Sequence, residues 1–290
     1  MKYLLICLCL ATASLPAQKI QTSSGAVQRF ENFPSQFVPA RNVDVWLPDG
    51  YNTDKKYAVL YMHDGQMLFD SSTTWNQQEW GVDETLGQLI SENKIRDCIV
   101  VGIWNGGRLR HSEYFPQKPF ESLTPQELKT VQEALPENRR NAADGFHANS
   151  DQYLKFLVFE LKPFIDGQFS TRSDPDNTFV SGSSMGGLIS MYAICEYPNI
   201  FGAAACLSTH WPGVFSMENN PIPDAFLEYL EAHLPSPEKH KIYFDYGTAT
   251  LDSLYEPTQL QVDTLMAKKG FDATNWMTRK FPGAEHSERA

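Results

Sequence analysis

One stretch of the sequence decides the fold: Thr178-Phe179-Val180-Ser181-Gly182-Ser183-Ser184-Met185-Gly186-Gly187-Leu188-Ile189. An apolar run leads into the pattern Gly-x-Ser-x-Gly, and a second apolar run, compatible with a helix, follows it. This is the pattern of a nucleophile elbow, in which the central serine stands at the tip of a sharp turn between a strand and a helix. The pattern therefore predicts that Ser184 lies at such a tip.

The glycines around Ser184 have a physical reason. The turn forces the serine into strained backbone angles and brings Gly182 and Gly186 together, and neither glycine has a Cβ that would clash. The helix that begins near Met185 directs its first N–H groups toward the same point. A bare Gly-x-Ser-x-Gly match is a weak signal, and the flanking strand and helix strengthen it. Ser183 is the rival nucleophile, but neither residue two positions away from it is a glycine.

Length and composition favour one large α/β domain with a sizeable core. The chain has 290 residues, 42% of them hydrophobic and 20% charged, which is ordinary for a globular protein. Lys and Arg number 24 against 35 Asp and Glu, giving a net charge of -11. This acidic balance argues against nucleic acids and anionic membrane surfaces as partners.

The N-terminus differs from the rest of the sequence. Lys2 precedes an apolar run from Tyr3 to Leu10, and small residues continue to Ala17. This pattern predicts a signal peptide over residues 1–17, hence export to the periplasm or the extracellular space and a single domain over residues 18–290. The run is too short to span a bilayer, so we expect no stable membrane insertion after cleavage.

Strands and helices alternate along the remaining sequence, which predicts a mostly parallel central sheet flanked by helices on both faces. A polar segment of about residues 108–149, rich in Pro, Glu and Asn, interrupts this alternation. We interpret it as an inserted lid-like segment beside the site, because long excursions inside compact domains are often functional. A solvated surface insertion is the alternative.

Three cysteines remain after the predicted signal peptide, namely Cys98, Cys195 and Cys206. Their apolar neighbours predict buried thiols, although a Cys195–Cys206 disulfide stays open for an exported protein. The sequence shows no metal-ligand spacing, and we predict no metal or cofactor.

A serine hydroxyl becomes a good nucleophile when an imidazole accepts its proton and an acid orients that imidazole. In this fold class the acid and then the histidine follow the serine along the chain. His286 lies in a loop after the last predicted strand and is preferred over His233 and His240, which lie by a polar helix and before a strand. Asp252, just past a strand, is the preferred acid, ahead of Asp245 inside that strand and of Glu256.

Other candidate residues also lie where predicted strands end. The Met185 amide, together with Gly65 or Gln66 after an early strand, is predicted to form an oxyanion hole. His210 and Trp211 follow one strand, Trp104 and Asn105 follow another, and all four are predicted to contact substrate at one rim. Trp75 and Trp80 could line the same cleft. A tryptophan there suits stacking on a sugar or an aromatic ring.

Several motifs together resemble those of a known family. They are His63-Asp64-Gly65-Gln66, Val101-Gly102-Ile103, Glu160-Leu161-Lys162-Pro163, Gly182-Ser183-Ser184-Met185-Gly186-Gly187 and Gly283-Ala284-Glu285-His286-Ser287. From about Arg41 onward the sequence resembles the putative esterase (esterase D-like) family of α/β-hydrolases, whose members include feruloyl, acetyl-xylan and enterochelin-type esterases and mycolyltransferases. The resemblance implies a Ser184–Asp252–His286 triad with an oxyanion hole near Gln66 and Met185. Many relatives place the acid closer behind the Gly-Thr pair than Asp252 lies here.

The sequence and this resemblance together predict an exported serine carboxylic-ester hydrolase that acts on small-molecule or glycan esters of the feruloyl or acetyl type. A siderophore esterase or an acyltransferase on the same fold is the alternative within this class. A non-catalytic glycan-binding protein is the alternative from another class, because fold alone does not imply function.

Overall fold

The computed structural model describes residues 20–135, 146–215 and 217–288. The predicted signal peptide, residues 1–17, lies outside the described residues. The strands within them are Ala26–Phe33 (β1), Arg41–Leu47 (β2), Ala58–His63 (β3), Cys98–Ile103 (β4), Thr178–Ser183 (β5), Ala203–Leu207 (β6), Lys241–Gly247 (β7) and Trp276–Phe281 (β8).

These strands form one sheet in the order β1-β2-β4-β3-β5-β6-β7-β8. β1 pairs antiparallel with β2, and β2 pairs antiparallel with β4. Every later pairing is parallel, with Tyr61 opposite Val180 at the centre of the sheet. Because parallel strands end at the same edge, the loops after β3, β4, β5, β6, β7 and β8 meet along one rim.

Helices cover the sheet. They are Val82–Ser91 (α1), Arg110–Tyr114 (α2), Gln117–Glu121 (α3), Pro125–Ala134 (α4), Ser150–Lys155 (α5), Lys162–Gln168 (α6), Met185–Glu196 (α7), Ile222–His233 (α8) and Glu256–Lys268 (α9). α5 continues into α6 through a π-helical turn over Phe156–Leu161. None of the described helices is both long and apolar enough to cross a membrane. The architecture is therefore the predicted α/β-hydrolase fold.

The core divides between the two faces of the sheet. The larger cluster joins strand residues such as Val101 and Val180 to α7, whose residues from Met185 to Cys195 are all buried. The smaller cluster packs Val82 of α1 against Trp46, Met62 and Val100 on the opposite face. Since α7 is buried all round, the turn that starts it is fixed by packing on the strands beside it.

The predicted insertion contributes to the core. Its described parts form α2, α3 and α4, and they bury Phe115, Phe120, Leu123, Val131, Leu135 and Phe146. Thr124 caps α4 and forms the predicted capping box with Glu127. Among its described residues, Arg110 lines the cavity described below. The alternative of a solvated surface insertion does not fit these described parts, because they bury apolar side chains.

Cys98, Cys195 and Cys206 are buried free thiols. Burial raises the pKa of the Cys98 thiol to about 11. The prediction of buried thiols is confirmed, and the alternative of a Cys195–Cys206 disulfide is wrong for this structure.

Candidate active site

Ser184 stands at the turn between β5 and α7 in a strained conformation, with φ 61° and ψ −117°. Its N–H donates to the carbonyl of Leu207 at the end of β6, at 2.9 Å. A Cβ on Gly182 would lie 2.8 Å from the carbonyl carbon of Gly186, closer than real Cβ contacts. Only glycine fits there, so the strand and the helix can close tightly around the serine.

Asp252 and His286 form a hydrogen-bonded pair through Oδ1 and Nδ1. Asp252 is fully buried in the turn after β7. Its second oxygen, Oδ2, accepts from the N–H of Gly247 at 2.6 Å and from the hydroxyl of Ser208 at 2.7 Å. Burial alone would raise the pKa of this carboxyl, but the hydrogen bonds from His286, Gly247 and Ser208 outweigh burial and lower the pKa. The carboxylate is therefore ionised and aimed at the imidazole.

The loop that carries His286 is held by the segment after β7. The carbonyl of Ala284 accepts from the N–H groups of Thr248 at 3.1 Å and Ala249 at 2.9 Å. The N–H of His286 donates to the hydroxyl of Thr250 at 2.8 Å. A Cβ on Gly247 would lie 2.3 Å from the Ala284 carbonyl oxygen, so glycine is required where the two segments approach.

Ser184 and His286 line the same cavity of about 630 Å³ at the carboxyl edge of the sheet. Trp75 and Trp80 lie on its wall, and Trp75 is 86% exposed at the rim. The other lining residues are Asp64, Gln66, Met67, Asn76, Asn105, Gly107, Arg110, Ser183, Ser287 and Glu288. Such a cleft gives a small ligand access to Ser184 and His286 together.

Gly65 and Gln66 lie in the short 3₁₀ turn after β3. A Cβ on Gly65 would lie 2.3 Å from the carbonyl carbon of Gly102 on β4, so this turn packs directly on the sheet. Gln66 is on the cavity wall, and its side-chain oxygen accepts from the N–H of Asn105 at 3.2 Å. Met185 is the first residue of α7, and its N–H has no acceptor within that helix. Gln66 thus lines the same cavity as Ser184, and Met185 directly follows Ser184 in the chain.

An ion pair between buried Asp64 and half-buried Arg110 fixes the turn after β3. Arg110 donates to both carboxylate oxygens of Asp64 at 2.7 Å, and Asn105 donates to Oδ1 at 2.7 Å. Burial raises the pKa of Asp64, but the Arg110 charge and hydrogen bonds outweigh it and lower the pKa. Asp64 and Arg110 were not predicted as site residues, because their pairing depends on how the segment after β4 folds back.

The rival residues have structural partners. His233 stacks on Tyr229, with ring centroids 4.4 Å apart, and both ring nitrogens of His240 face backbone carbonyls. Asp245 accepts from the N–H of Ser208 at 2.8 Å.

His63 is fully buried beside Tyr153, and burial lowers its pKa to about 3. His63 is thus a neutral imidazole buried in the protein.

Two of the predicted substrate contacts are corrected by the structure. Trp211 is fully buried between Phe226 and Phe244, and its indole N–H donates to Gln259 at 2.9 Å. Trp104 donates to Asp44 at 2.8 Å and lies under the guanidinium of Arg29. Both indoles turn away from the cavity because each finds its hydrogen-bond acceptor in the protein.

The other two predicted contacts lie near the cavity. Asn105 is on its wall, where it holds Asp64 and Gln66. His210 is only 2% exposed, behind the serine, and its N–H donates to the Ser184 carbonyl at 3.2 Å. Its ring Nδ1 lies 2.9 Å from the hydroxyl of Tyr255. Tyr255 was missed in the sequence, where it stands three residues after Asp252 without any motif of its own.

The fold and this site define an α/β-hydrolase-fold protein with a serine, a histidine and a carboxylate at one rim of the sheet. A family model described as "Putative esterase" matches residues 37–287. The chain belongs to this family.

Individual relatives are distant. The chain is 25% identical over 206 residues to an endo-1,4-beta-xylanase/feruloyl esterase of Xylanibacter ruminicola, covering 66% of this chain and 23% of that protein. It is 25% identical over 168 residues to the siderophore enterobactin esterase of Emericella nidulans, covering 57% and 51%. The matches span less than two thirds of the length of these relatives.

The fold likeness extends further than the sequence likeness. The solved structure of a ferulic acid esterase superposes with a TM-score of 0.64, covering 93% of this chain and 94% of that chain at 18% sequence identity. At this identity the similarity establishes a shared fold, and the chemistry has to be argued from the residues.

Proposed function

We propose that the protein is an exported serine carboxylic-ester hydrolase that acts on glycan or small-molecule esters of the feruloyl or acetyl type. The observation that carries this proposal is the pairing of buried Asp252 with His286 on the cavity that also holds Ser184 in its strained turn. Strain of this kind persists only where the surrounding structure enforces it, and it is concentrated at functional sites.

Acylation begins at Ser184. Its Oγ attacks the ester carbonyl carbon while Nε2 of His286 accepts the hydroxyl proton. Asp252 stabilises the imidazolium and fixes its orientation through Nδ1, and its lowered pKa keeps it ionised for this role. The tetrahedral intermediate collapses, the alcohol leaves with the proton from His286, and the acyl group stays on Ser184.

The negative oxygen of that intermediate needs preorganised donors, each worth about 3 kcal/mol. The N–H of Met185 is one, since it follows the serine and starts α7. A backbone N–H at Gly65 or Gln66 is the second, held in place by the tight packing of that turn on Gly102. Water then attacks the acyl-enzyme, His286 accepts its proton, and protonation of the departing Oγ regenerates Ser184.

The proposed substrate class draws on the rim of the cavity. Trp75 is exposed there and Trp80 lies on the wall, so a sugar or phenolic ring has a stacking surface close to Ser184. The likeness to proteins named as feruloyl esterases supports the same class. Export rests on the sequence pattern of residues 1–17.

A fluorophosphonate probe tests the serine mechanism, because it phosphonylates only activated serines. We expect labelling of the wild type and complete loss in Ser184→Ala. Ser183→Ala is the matched control, since the neighbouring serine lies on the same cavity wall, and we expect it to label. A folded wild type that is not labelled would favour the alternative of a non-catalytic glycan-binding protein.

A substrate panel tests the specificity. Purified protein would be assayed with p-nitrophenyl acyl esters, methyl ferulate, acetylated xylan and a catecholate siderophore ester. We expect turnover of feruloyl or acetyl glycan esters with Ser184 required. Preference for the siderophore ester, or transfer of the acyl group to an added alcohol, would replace the proposed substrate class by one of the alternatives while keeping the nucleophile.

A further inference from the structure

Tyr255 occupies a position that the triad does not explain. It is fully buried at the start of α9, and its ring meets the His286 imidazole edge-on with centroids 5.8 Å apart. Its N–H donates to the carbonyl of Asp252 at 2.9 Å. The same short turn therefore carries both the acid and this tyrosine to the serine and the histidine.

The hydroxyl of Tyr255 lies between two polar groups. His210 Nδ1 is 2.9 Å away on one side. Ser184 is on the other side: its carbonyl accepts from the His210 N–H at 3.2 Å, and its side chain partly offsets the rise in the pKa of Tyr255 that burial and the Asp252 charge cause. The raised pKa means that Tyr255 keeps its proton and acts as a hydrogen-bond donor.

We propose that Tyr255 is a further catalytic residue, which donates a hydrogen bond to Ser184 Oγ and is oriented by His210. The proposal rests on the hydrolase function proposed above. In the proposed arrangement the donors run in one direction: His210 Nδ1–H to Tyr255, Tyr255 O–H to Ser184 Oγ, Ser184 O–H to His286 Nε2, and His286 Nδ1–H to Asp252. Linked hydrogen bonds of this kind polarise one another.

The two half-reactions use this hydrogen bond differently. During acylation Ser184 Oγ is the nucleophile, and a hydrogen bond donated to its lone pair does not accelerate the attack. When water has added to the acyl-enzyme, Oγ becomes the leaving group and gains negative charge as the C–O bond breaks. A donor already aimed at Oγ stabilises that charge, so Tyr255 should assist deacylation more than acylation.

Tyr255→Phe separates the two steps. With p-nitrophenyl acetate we expect kcat to fall about tenfold, the rate equivalent of one ordinary hydrogen bond. A larger burst of p-nitrophenolate should accompany this fall, while kcat/KM and the rate of fluorophosphonate labelling change little. Tyr229→Phe is the matched control, because it removes the hydroxyl of another buried tyrosine, which donates to the Glu196 side chain away from this site. Equal losses in kcat and labelling rate, or a Tyr255→Phe variant that behaves like Tyr229→Phe, would overturn the proposal.

His210 provides a second route if Tyr255→Phe folds poorly. His210→Leu should reproduce the enlarged burst, whereas His210→Gln keeps an N–H donor and should restore part of kcat. Combining His210→Leu with Tyr255→Phe should add no further loss, because both act through one hydrogen bond; additive losses would contradict the chain. A wild type without labelling or burst would instead refute the hydrolase proposal itself.

Discussion

Two loops at the same edge of the sheet are held by different forces. The turn after β3, His63 to Met67, is buried apart from Gln66, and Arg110 clamps its Asp64. The loop after β8, Pro282 to Glu288, is mostly exposed and is held by hydrogen bonds to Thr248, Ala249 and Thr250. The first loop supplies proposed oxyanion donors, and the second supplies the histidine.

The two halves of the site therefore depend on different stabilising interactions. The turn after β3 is fixed by the same packing and charge pairing that fold the domain, so changes there should lower stability. The His286 loop is attached through surface contacts that contribute little to folding, so changes there should lower activity at nearly constant stability.

The largest effect is expected from Asp252→Asn. The amide removes the charge that stabilises the His286 imidazolium and presents the wrong group to Nδ1, so kcat should fall by about 10³–10⁴. Steady-state ester hydrolysis measures this. Asp245→Asn is the control, because Asp245 binds the Ser208 N–H instead, and its activity should stay within a few-fold. Loss in Asp245→Asn with Asp252→Asn unaffected would reverse the assignment.

Arg110→Met tests the buried turn after β3, whose Asp64 pairs with Arg110. Removing the cation leaves Asp64 buried without its partner, and the free energy of unfolding should fall by about 3 kcal/mol at neutral pH. Because the folded pKa of Asp64 lies below its ordinary value of 3.8, the ion pair stabilises fully above that value and less as the pH falls through the folded pKa. Urea denaturation at several pH values measures both effects.

The double variant Asp64→Asn/Arg110→Met is the control for this pair. It removes both charges, and the oxygen of the introduced amide can still accept from Asn105, so the double variant should be more stable than Arg110→Met alone. A double variant as unstable as the single one would show that Arg110 stabilises by packing and not by its charge.

His63, in the turn after β3, makes the free energy of unfolding depend on pH. Burial lowers its pKa from 6.5 to about 3, so the unfolded chain takes up a proton below pH 6.5 while the folded protein does not. The free energy of unfolding should therefore drop by about 2 kcal/mol from this group between pH 7 and pH 5. His63→Gln, compared with wild type by urea denaturation, should lack that part of the slope. An unchanged slope would mean that His63 is accessible to protons in the folded state.

Thr250→Val, an isosteric change, tests the attachment of the exposed loop after β8 that carries His286. The variant loses the hydroxyl that accepts from the His286 N–H, and kcat should fall about tenfold through misplacement of the imidazole. The free energy of unfolding should change by less than about 1 kcal/mol, since the lost bond is exposed. Thr250→Ser keeps the hydroxyl and should retain activity. A stability loss as large as that of Arg110→Met would remove the distinction between the two loops.

The order of strands and helices, and the placement of site residues just after strands, were predicted well from the sequence. Both follow from local sequence patterns. Strand alternation and Gly-x-Ser-x-Gly were sufficient for the α/β fold and for the turn at Ser184. Chain order and loop position were sufficient to select Asp252 and His286, which the structure finds hydrogen-bonded. Their catalytic roles stay predictions until the variants are measured.

Side-chain direction could not be predicted in the same way. Trp211 follows a strand like the other rim residues, but Ser208 turns the chain at φ 39° and the indole finds Gln259, 48 positions away along the chain. Likewise, the average polarity of residues 108–149 concealed the aromatic residues that α2, α3 and α4 bury. Such contacts depend on packing between distant segments, which no local pattern encodes.

The smallest effect is expected from Trp75→Ala, which tests the rim beyond both loops. Trp75 is 86% exposed, so its removal should leave the free energy of unfolding and the hydrolysis of p-nitrophenyl acetate unchanged. KM for a feruloylated or acetylated glycan should rise about three- to tenfold, as expected for the loss of one exposed stacking contact. Trp104→Phe is the control, because its indole faces Asp44 and Arg29 instead of the cavity. A KM increase confined to Trp75→Ala would assign ring stacking to that face of the cleft. Equal KM values in the two variants would leave glycan recognition to the cavity wall around Trp80.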